Sequence, residues 1–410
     1  MRRKKLLLTG AGVLLVLSVI VLVFWDHRLL VRSFLSSPES GRCTERLTRP
    51  MLDRSLELGR GFLLAHQKAA GNFDYEYDWK ERTQSEDDNE VRQAGALWGV
   101  ALIAQDRPDP ALVAALDKGF AFFESHARSG PNGARCVAYP GSASGGTGTI
   151  ALIALAYIDA LRTLDRDGND PRYAPMRERA NAYLVQLVAS VNGDGLFAGD
   201  FDVHTCAPSG APSPYSDGEA LLALVKAAKY RSRPDLEPVI RRVAEATRLH
   251  NVERALAEHP DSDTTKGFYQ WGSMAYFELA TSGWPDTEGY GKTVLELADW
   301  MIDVHKTLTR LKNTGYAYEG IIHAYELARL RKDATRAAKY RCVIDFGLER
   351  LLSWQVGSPY ANRYASGAEA GDRLALGGVQ NGATESGLRI DVTQHQMHAT
   401  VLARRYVYTR

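Results

Sequence analysis

The chain has 410 residues, of which 45% are hydrophobic and 24% charged, and its formal net charge is +1. These are the proportions of an ordinary globular protein. The near-neutral balance argues against a nucleic-acid binder, because phosphate recognition needs a clear basic surplus.

The N-terminus stands apart. Met1 to Lys5 is basic, and Leu6 to Trp25 carries no charge. At about 1.5 Å per residue that run matches the roughly 30 Å hydrocarbon core of a bilayer. The basic cluster predicts a cytoplasmic N-terminus, with residues 26–410 on the far side. Phe24-Trp25-Asp26-His27 is no small-residue cleavage site. Residues 1–25 are therefore read as a basic stub and signal-anchor in a bacterial inner membrane, in preference to a cleaved signal peptide. Residues 26–49 become a tether, and 50–410 a periplasmic or extracytoplasmic domain.

Within that domain, a polar, aromatic or glycine-rich loop runs six times into an Ala/Leu-rich helical segment, starting at Ser85, Gly145, Tyr215, Gly267, Gly315 and Arg389. A more charged helical segment lies between each pair: Arg54–Gln67, Ala111–Ala127, Pro171–Ser190, Leu236–Glu258, Lys292–Leu308 and Ala334–Gln355. Val294, Leu297, Ala298, Met301, Ile302 and His305 show the 3- and 4-residue steps of a one-faced helix. Repeated helix pairs must close on themselves to bury their faces. The expected fold is an all-α (α/α)6 toroid, with the first set as inner and the second as outer helices. Loops from outer to inner helices are long and chemically loaded, so the site is expected on the rim where they emerge.

Four cysteines, Cys43, Cys136, Cys206 and Cys342, permit three disulfide pairings or none. In a ring, Cys136 and Cys206 precede neighbouring inner helices, while Cys43 and Cys342 lie near the point of closure.

Candidate site residues gather at the starts of inner helices. The first carries Asp88, Asn89 and Arg92, where a first-turn carboxylate also serves as an ordinary cap. The third carries Tyr215 and Glu219, with Ser216 and Glu219 also fitting a capping box. Tyr269, Gln270 and Trp271 follow on the fourth, an aromatic–amide set suited to sugar rings or simply to packing. The fifth adds Tyr316, Tyr318 and Glu319. The sixth adds Arg389, Asp391 and His395, of which Arg389 and Asp391 also suit a structural pair; His398 is read as a core residue, and His395 is placed to titrate near neutrality. No zinc cluster, GxSxG elbow, HExxH helix, Walker loop or dinucleotide fingerprint occurs. No cofactor or metal is expected; the density of Asp87, Asp88 and Glu90 raises calcium as a question.

The segments NEVRQAGALWGVAL, YSDGEALLALVKAAKY and RIDVTQHQMHATVL resemble the six-hairpin carbohydrate-active enzymes, in particular the toroid domain of the glucuronyl C5-epimerase C-terminal type. The resemblance implies carbohydrate chemistry. The leading expectation is a glycoside hydrolase acting on an envelope or extracellular polysaccharide, with Asp88, Glu219 and Asp391 supplying acid and base. Arg92 and Arg389 would grip an acidic sugar. Two alternatives stand: a non-catalytic glycan- or peptide-binding subunit of an envelope-assembly or polysaccharide-export complex, and a uronate lyase or C5-epimerase with Tyr318 or His395 as base.

Overall fold

A computed structural model describes residues 43, 45–369 and 371–409. The expected anchor over residues 6–25, and the tether up to residue 42, lie outside the described residues. The chain divides into Met1–Arg46 and a compact unit, Leu47–Arg410, which is built of helix pairs.

The inner helices are α2 (Glu90–Asp106), α4 (Thr147–Leu164), α6 (Pro214–Tyr230), α9 (Asp263–Ala280), α11 (Gly315–Leu330) and α13 (Ile390–Tyr406). Each packs on the next, α2 on α4, α4 on α6, α6 on α9, α9 on α11 and α11 on α13, and α13 returns to α2. That closed circuit is the expected toroid. The outer helices are α1 (Arg49–His66), α3 (Pro110–Ser125), α5 (Ala174–Ala189), α7 (Glu237–Arg248), α10 (Glu288–Asp303) and α12 (Ala334–Leu352). A π-helical turn at Leu249–Arg254 continues α7 into the short α8 (Ala255–Glu258).

The two sets differ as their positions demand. Every residue of α4 from Thr147 to Leu161 is buried, since neighbours cover it on all sides. By length and composition α4 would suit a membrane, yet it is packed inside the protein. The outer α7 buries only Ile240, Val243, Ala244 and Thr247, a stripe at steps of three and four. Local sequence sets many of the starts. Asn89 accepts from Arg92 N, Asp109 from Ala111 N and Leu112 N, Ser262 from Thr265 N, and Asp333 from Arg336 N, each satisfying helix donors that otherwise lack partners.

The loaded loops pair with one another, which the sequence patterns did not predict. Strands β1 (Glu76–Asp78), β2 (Thr83–Gln84) and β8 (Gly387–Arg389) form one antiparallel sheet. Strands β3 (Ala127–Ser129) and β4 (Arg135–Val137) form a second, and β5 (Ser144–Gly146), β6 (Asp200–Asp202) and β7 (Pro208–Ser209) a third. Long connections carry many backbone donors and acceptors, and pairing them on the rim satisfies these groups. The register Glu76↔Arg389 joins the loop after α1 to the entry of α13.

Cys136 and Cys206 form a disulfide, with Cα atoms 5.8 Å apart and 70 residues between them. It ties the loop before α4 to the loop before α6. On a chain-entropy estimate, closing a loop of that length contributes about 4 kcal/mol. Replacing both cysteines by alanine is expected to lower the urea midpoint correspondingly. An unchanged midpoint would mean that the loops are held without the bond.

Candidate functional site

First turns of four inner helices, and a later turn of a fifth, converge on a cleft of about 560 Å³. Val91, Arg92 and Gly95 come from α2; Gly148, Thr149 and Leu152 from α4; Tyr215, Ser216 and Glu219 from α6. Gln270 and Trp271 of α9 and Asp391, Gln394 and His395 of α13 complete most of the wall. Helix N-termini carry partial positive charge and free N–H groups, so their convergence favours anionic or oxygen-rich ligands.

Glu219 is the chemically distinctive residue. It is buried, and among the described residues no hydrogen bond reaches its carboxyl. The capping-box reading fails, because α6 begins at Pro214 with Ser213 at its cap and has no side-chain cap bond. The carboxyl instead occupies the space above Gly148, where any Cβ would fall on its Oε2. Burial pushes its pKa up to about 7, with nearby His395 pulling the other way. A carboxyl in that state is about half protonated at neutral pH and can still donate there, where an ordinary carboxylate has lost its proton.

Asp391 shows the opposite polarity. Burial alone would raise its pKa, but the hydrogen bond and charge of Arg389, then His395 and Arg92, outweigh it and hold Asp391 below the usual carboxylate range. Arg389 Nε donates to Asp391 Oδ1 at 2.9 Å, and Arg92 Nε lies 3.3 Å from Oδ2. The expected Arg389–Asp391 pair is therefore present, with Arg389 also over the Tyr75 ring. Arg92 contacts the Tyr75 hydroxyl as well. Glu76 also faces Arg389, so two guanidiniums meet two carboxyl groups at this end of the cleft.

His395 is oriented from behind. Its Nδ1 donates to Glu319 Oε1 at 3.0 Å, while Gln270 Nε2 donates to Glu319 Oε2 at 2.9 Å. Glu319 is wholly buried; burial would lift its pKa, but His398 and then His395 hold it down at about 2. Burial disfavours a charged His395, yet the charge and hydrogen bond of Glu319, followed by Asp391 and Glu219, raise its pKa above the ordinary histidine value. With Nδ1 committed to Glu319, Nε2 is the nitrogen left for a ligand. His398 lies deeper, against Trp98, as a core residue. Gln394 adds a buried side-chain amide whose Nε2 has no hydrogen-bond partner among the described residues.

Seven of the sequence-derived site residues thus meet in the cleft: Arg92, Tyr215, Glu219, Gln270, Trp271, Asp391 and His395. Arg389 stands behind Asp391. Others lie elsewhere. Asp88 is exposed, and its Oδ1 accepts from Asn89 N and Gln93 Nε2. Asn89 is the cap of α2. Tyr269 is buried between helices, donating to Ala317 O at 3.0 Å, and Tyr318 is buried in the core. Successive helix residues are turned by about 100°, so a run such as Tyr269-Gln270-Trp271 cannot face one cavity throughout. Gly148, Tyr75 and the orienting role of Glu319 were not singled out from sequence; the glycine run Gly145-Gly146-Thr147-Gly148 was the available signal for a close approach. Asp87, Asp88 and Glu90 are not arranged as a metal-binding group, nor is any other set of three His, Cys, Asp or Glu among the described residues.

No protein-family model matches this sequence, and no curated protein matches it. Solved structures do match its fold. A GH76 α-mannanase from Bacteroides thetaiotaomicron aligns with a TM-score of 0.58 at 9% identity, covering 87% of this chain and 96% of its own. Cellobiose 2-epimerase from Bacillus thermoamylovorans gives 0.60 at 10% identity, covering 86% and 98%. D-mannose isomerase gives 0.59 at 12% identity, covering 87% and 98%. The chain therefore has the toroid fold found in carbohydrate-active enzymes.

The raised pKa of Glu219 links the site to stability. Between the ordinary carboxylate range and about pH 7, the folded protein keeps a proton that the unfolded chain has lost, so stability falls as pH rises. Glu219→Gln removes that cost. The variant is expected to match the parent near pH 4 and to exceed it by on the order of 3 kcal/mol at pH 8 in urea unfolding. Equal stability of the two proteins at pH 8 would show that Glu219 is not a desolvated acid.

Proposed function

We propose that this chain is a carbohydrate-active enzyme, a glycoside hydrolase that cleaves a polysaccharide outside the cytoplasm, with Glu219 as general acid. The observation that carries the reading is the buried, unpartnered Glu219 carboxyl facing a cleft whose other acid, Asp391, is held ionised. Hydrolysis needs one group to protonate the leaving oxygen and another to activate water. Asp391, held ionised, is the base in this reading, and His395, oriented by Glu319, turns Nε2 toward a sugar hydroxyl. Asp391 keeps negative charge near the positive centre that develops on the sugar. Trp271 and Tyr215 offer aromatic surface to the pyranose face, and Gln270 and Gln394 offer amides to its hydroxyls. The names of the similar structures, a mannanase, an epimerase and an isomerase, all concern sugars and support a sugar ligand. The Cys136–Cys206 disulfide supports an oxidising compartment, in keeping with an anchor at residues 6–25.

A second reading, epimerisation or lyase chemistry on a uronate, is favoured by the His395–Glu319 pair alone. Such a pair suits removal of a carbon-bound proton, with Glu219 returning one from the other side and Arg92 holding the carboxylate. A purely binding module has less support, because a buried acid without a partner costs stability that a binding surface has no need to spend.

The test is to incubate the full-length protein in D2O with neutral and uronic-acid bacterial polysaccharides and follow proton NMR. New reducing-end anomeric signals are the expected result. Loss of the C5 proton signal would move the assignment to an epimerase, vinyl signals to a lyase, and no change to a binding module. Glu219→Gln is expected to lower kcat by at least about 100-fold, while Asp88→Asn stays within a few-fold because Asp88 lies outside the cleft wall. For the parent, kcat/KM should fall as pH rises through about 7, where Glu219 gives up its proton.

A further inference from the structure

A second hollow, about 690 Å³, opens on the same rim between the loops that precede α9 and α11. Its lining is strongly basic: Lys266, Lys306, Arg310 and Lys312, with His305, against the single acid Asp261. Asp261 is taken up by His305, 2.7 Å away, and by Arg310 at 3.4 Å. Lys312 pairs with Glu385. Among the described residues, Lys266 and Lys306 have no ion-pair partner, so the hollow keeps at least two uncompensated positive charges. Leu311, 86% exposed, also lines it, an apolar surface left open to solvent.

The hollow and the cleft share a helix. Lys266 and Gln270 stand one turn apart on α9, hence on the same face, and Lys266 lines the hollow while Gln270 lines the cleft. Between them Gly267 has no side chain, and a Cβ there would come within 2.9 Å of the Tyr215 ring. Tyr215, 54% exposed, therefore lies across α9 at the boundary, an open aromatic face between the two openings.

We infer that the hollow is a second subsite that takes an anionic unit of the polysaccharide whose neighbouring unit lies in the cleft, with Tyr215 beneath the link between them. The inference rests on the carbohydrate reading above and extends it to an acidic polymer at least several sugars long. Lysine heads act as point charges without a preferred planar partner, so a carboxylate or a sulfate ester meets the same chemistry. The cleft reads the reacting sugar, and the hollow reads charge further along the chain.

The experiment measures binding to the full-length protein by calorimetry, at low and moderate salt. The ligands are hexagalacturonate, its carboxyl-reduced neutral counterpart, a sulfated hexasaccharide and monomeric galacturonate. One of the two acidic hexamers is expected to bind more tightly than the monomer and the neutral hexamer, and the one preferred identifies the anion. The double variant Lys266→Ala/Lys306→Ala should lose roughly tenfold of that affinity, the scale of two modest charge contacts, while leaving the monomer's affinity unchanged. Circular dichroism checks that the variant is folded. Failure of both hexamers to bind the parent, or equal affinity of parent and double variant, overturns the subsite. Phosphatidylglycerol vesicles captured through the same lysines, with neither hexamer bound, would assign the hollow to a membrane surface and also overturn it. Because binding is read without turnover, hexamer binding lost in the double variant keeps the subsite even if no reaction is ever found. Turnover that is indifferent to the two lysines keeps the enzyme and removes the subsite.

Discussion

Closure of the inner circuit by α13 is the contact on which the rest depends. The last helix must fit between the first inner helix, α2, and the fifth, α11, while resting on α1. Gly99 of α2 makes room for it, since the Gln394 side chain occupies the space a Cβ would take. At the other end of α13, Arg404 is buried with its guanidinium on Asp53 of α1 at 2.6 Å and on Asp106 of α2. Leaving such a charge buried and unpaired costs about 3–5 kcal/mol. The pair therefore acts as a register mark, penalising a helix docked one turn out of place.

That closure builds the site. Asp391, Gln394, His395 and His398 fall on one face of α13 at steps of three and four. Docking turns this face toward Glu219 of α6 and Glu319 of α11, which lie far away in the chain. Three carboxyl groups then experience three environments. Glu219 is desolvated without a partner and keeps its proton; Asp391 is matched by two arginines; Glu319 is matched by two histidines and an amide. Burial acts on all three, and what stands beside each one decides the outcome. Environments that drive like groups apart in this way are how a single cleft supplies both an acid and a base at one pH.

Below the cleft, the same economy of charge serves structure. Asp159 of α4 accepts from Lys226 of α6, from Trp98 Nε1 of α2 at 2.8 Å and from Arg162 at 2.9 Å. Lys226 is two turns past Glu219 on the same helix. The side of α6 that exposes an acid to the cleft thus buries a paired lysine beneath it. One helix serves chemistry at its start and cohesion in its middle.

Much of this was legible in the chain because it depends on periodicity and local chemistry. Six loop–helix starts and the 3- and 4-residue stripe of the fifth outer helix are set by neighbours within a few residues. They are enough to expect a toroid, and to expect its chemistry at the starts of the inner helices. Which polar residue of each start faces inward was not legible. Asp88 and Glu219 look alike as first-turn acids, yet one ends in solvent holding Gln93 and the other is buried in the cleft wall over Gly148. The difference lies in the helix rotation set by packing on both neighbours, and in loop pairings such as Glu76↔Arg389 that join segments some 300 residues apart in the chain. A pKa follows from those distant partners as well. Sequence determined the architecture and the inventory of reactive groups, because both arise from short-range pattern; only the closed ring decided which groups meet, because desolvation and charge pairing exist only between surfaces brought together in space.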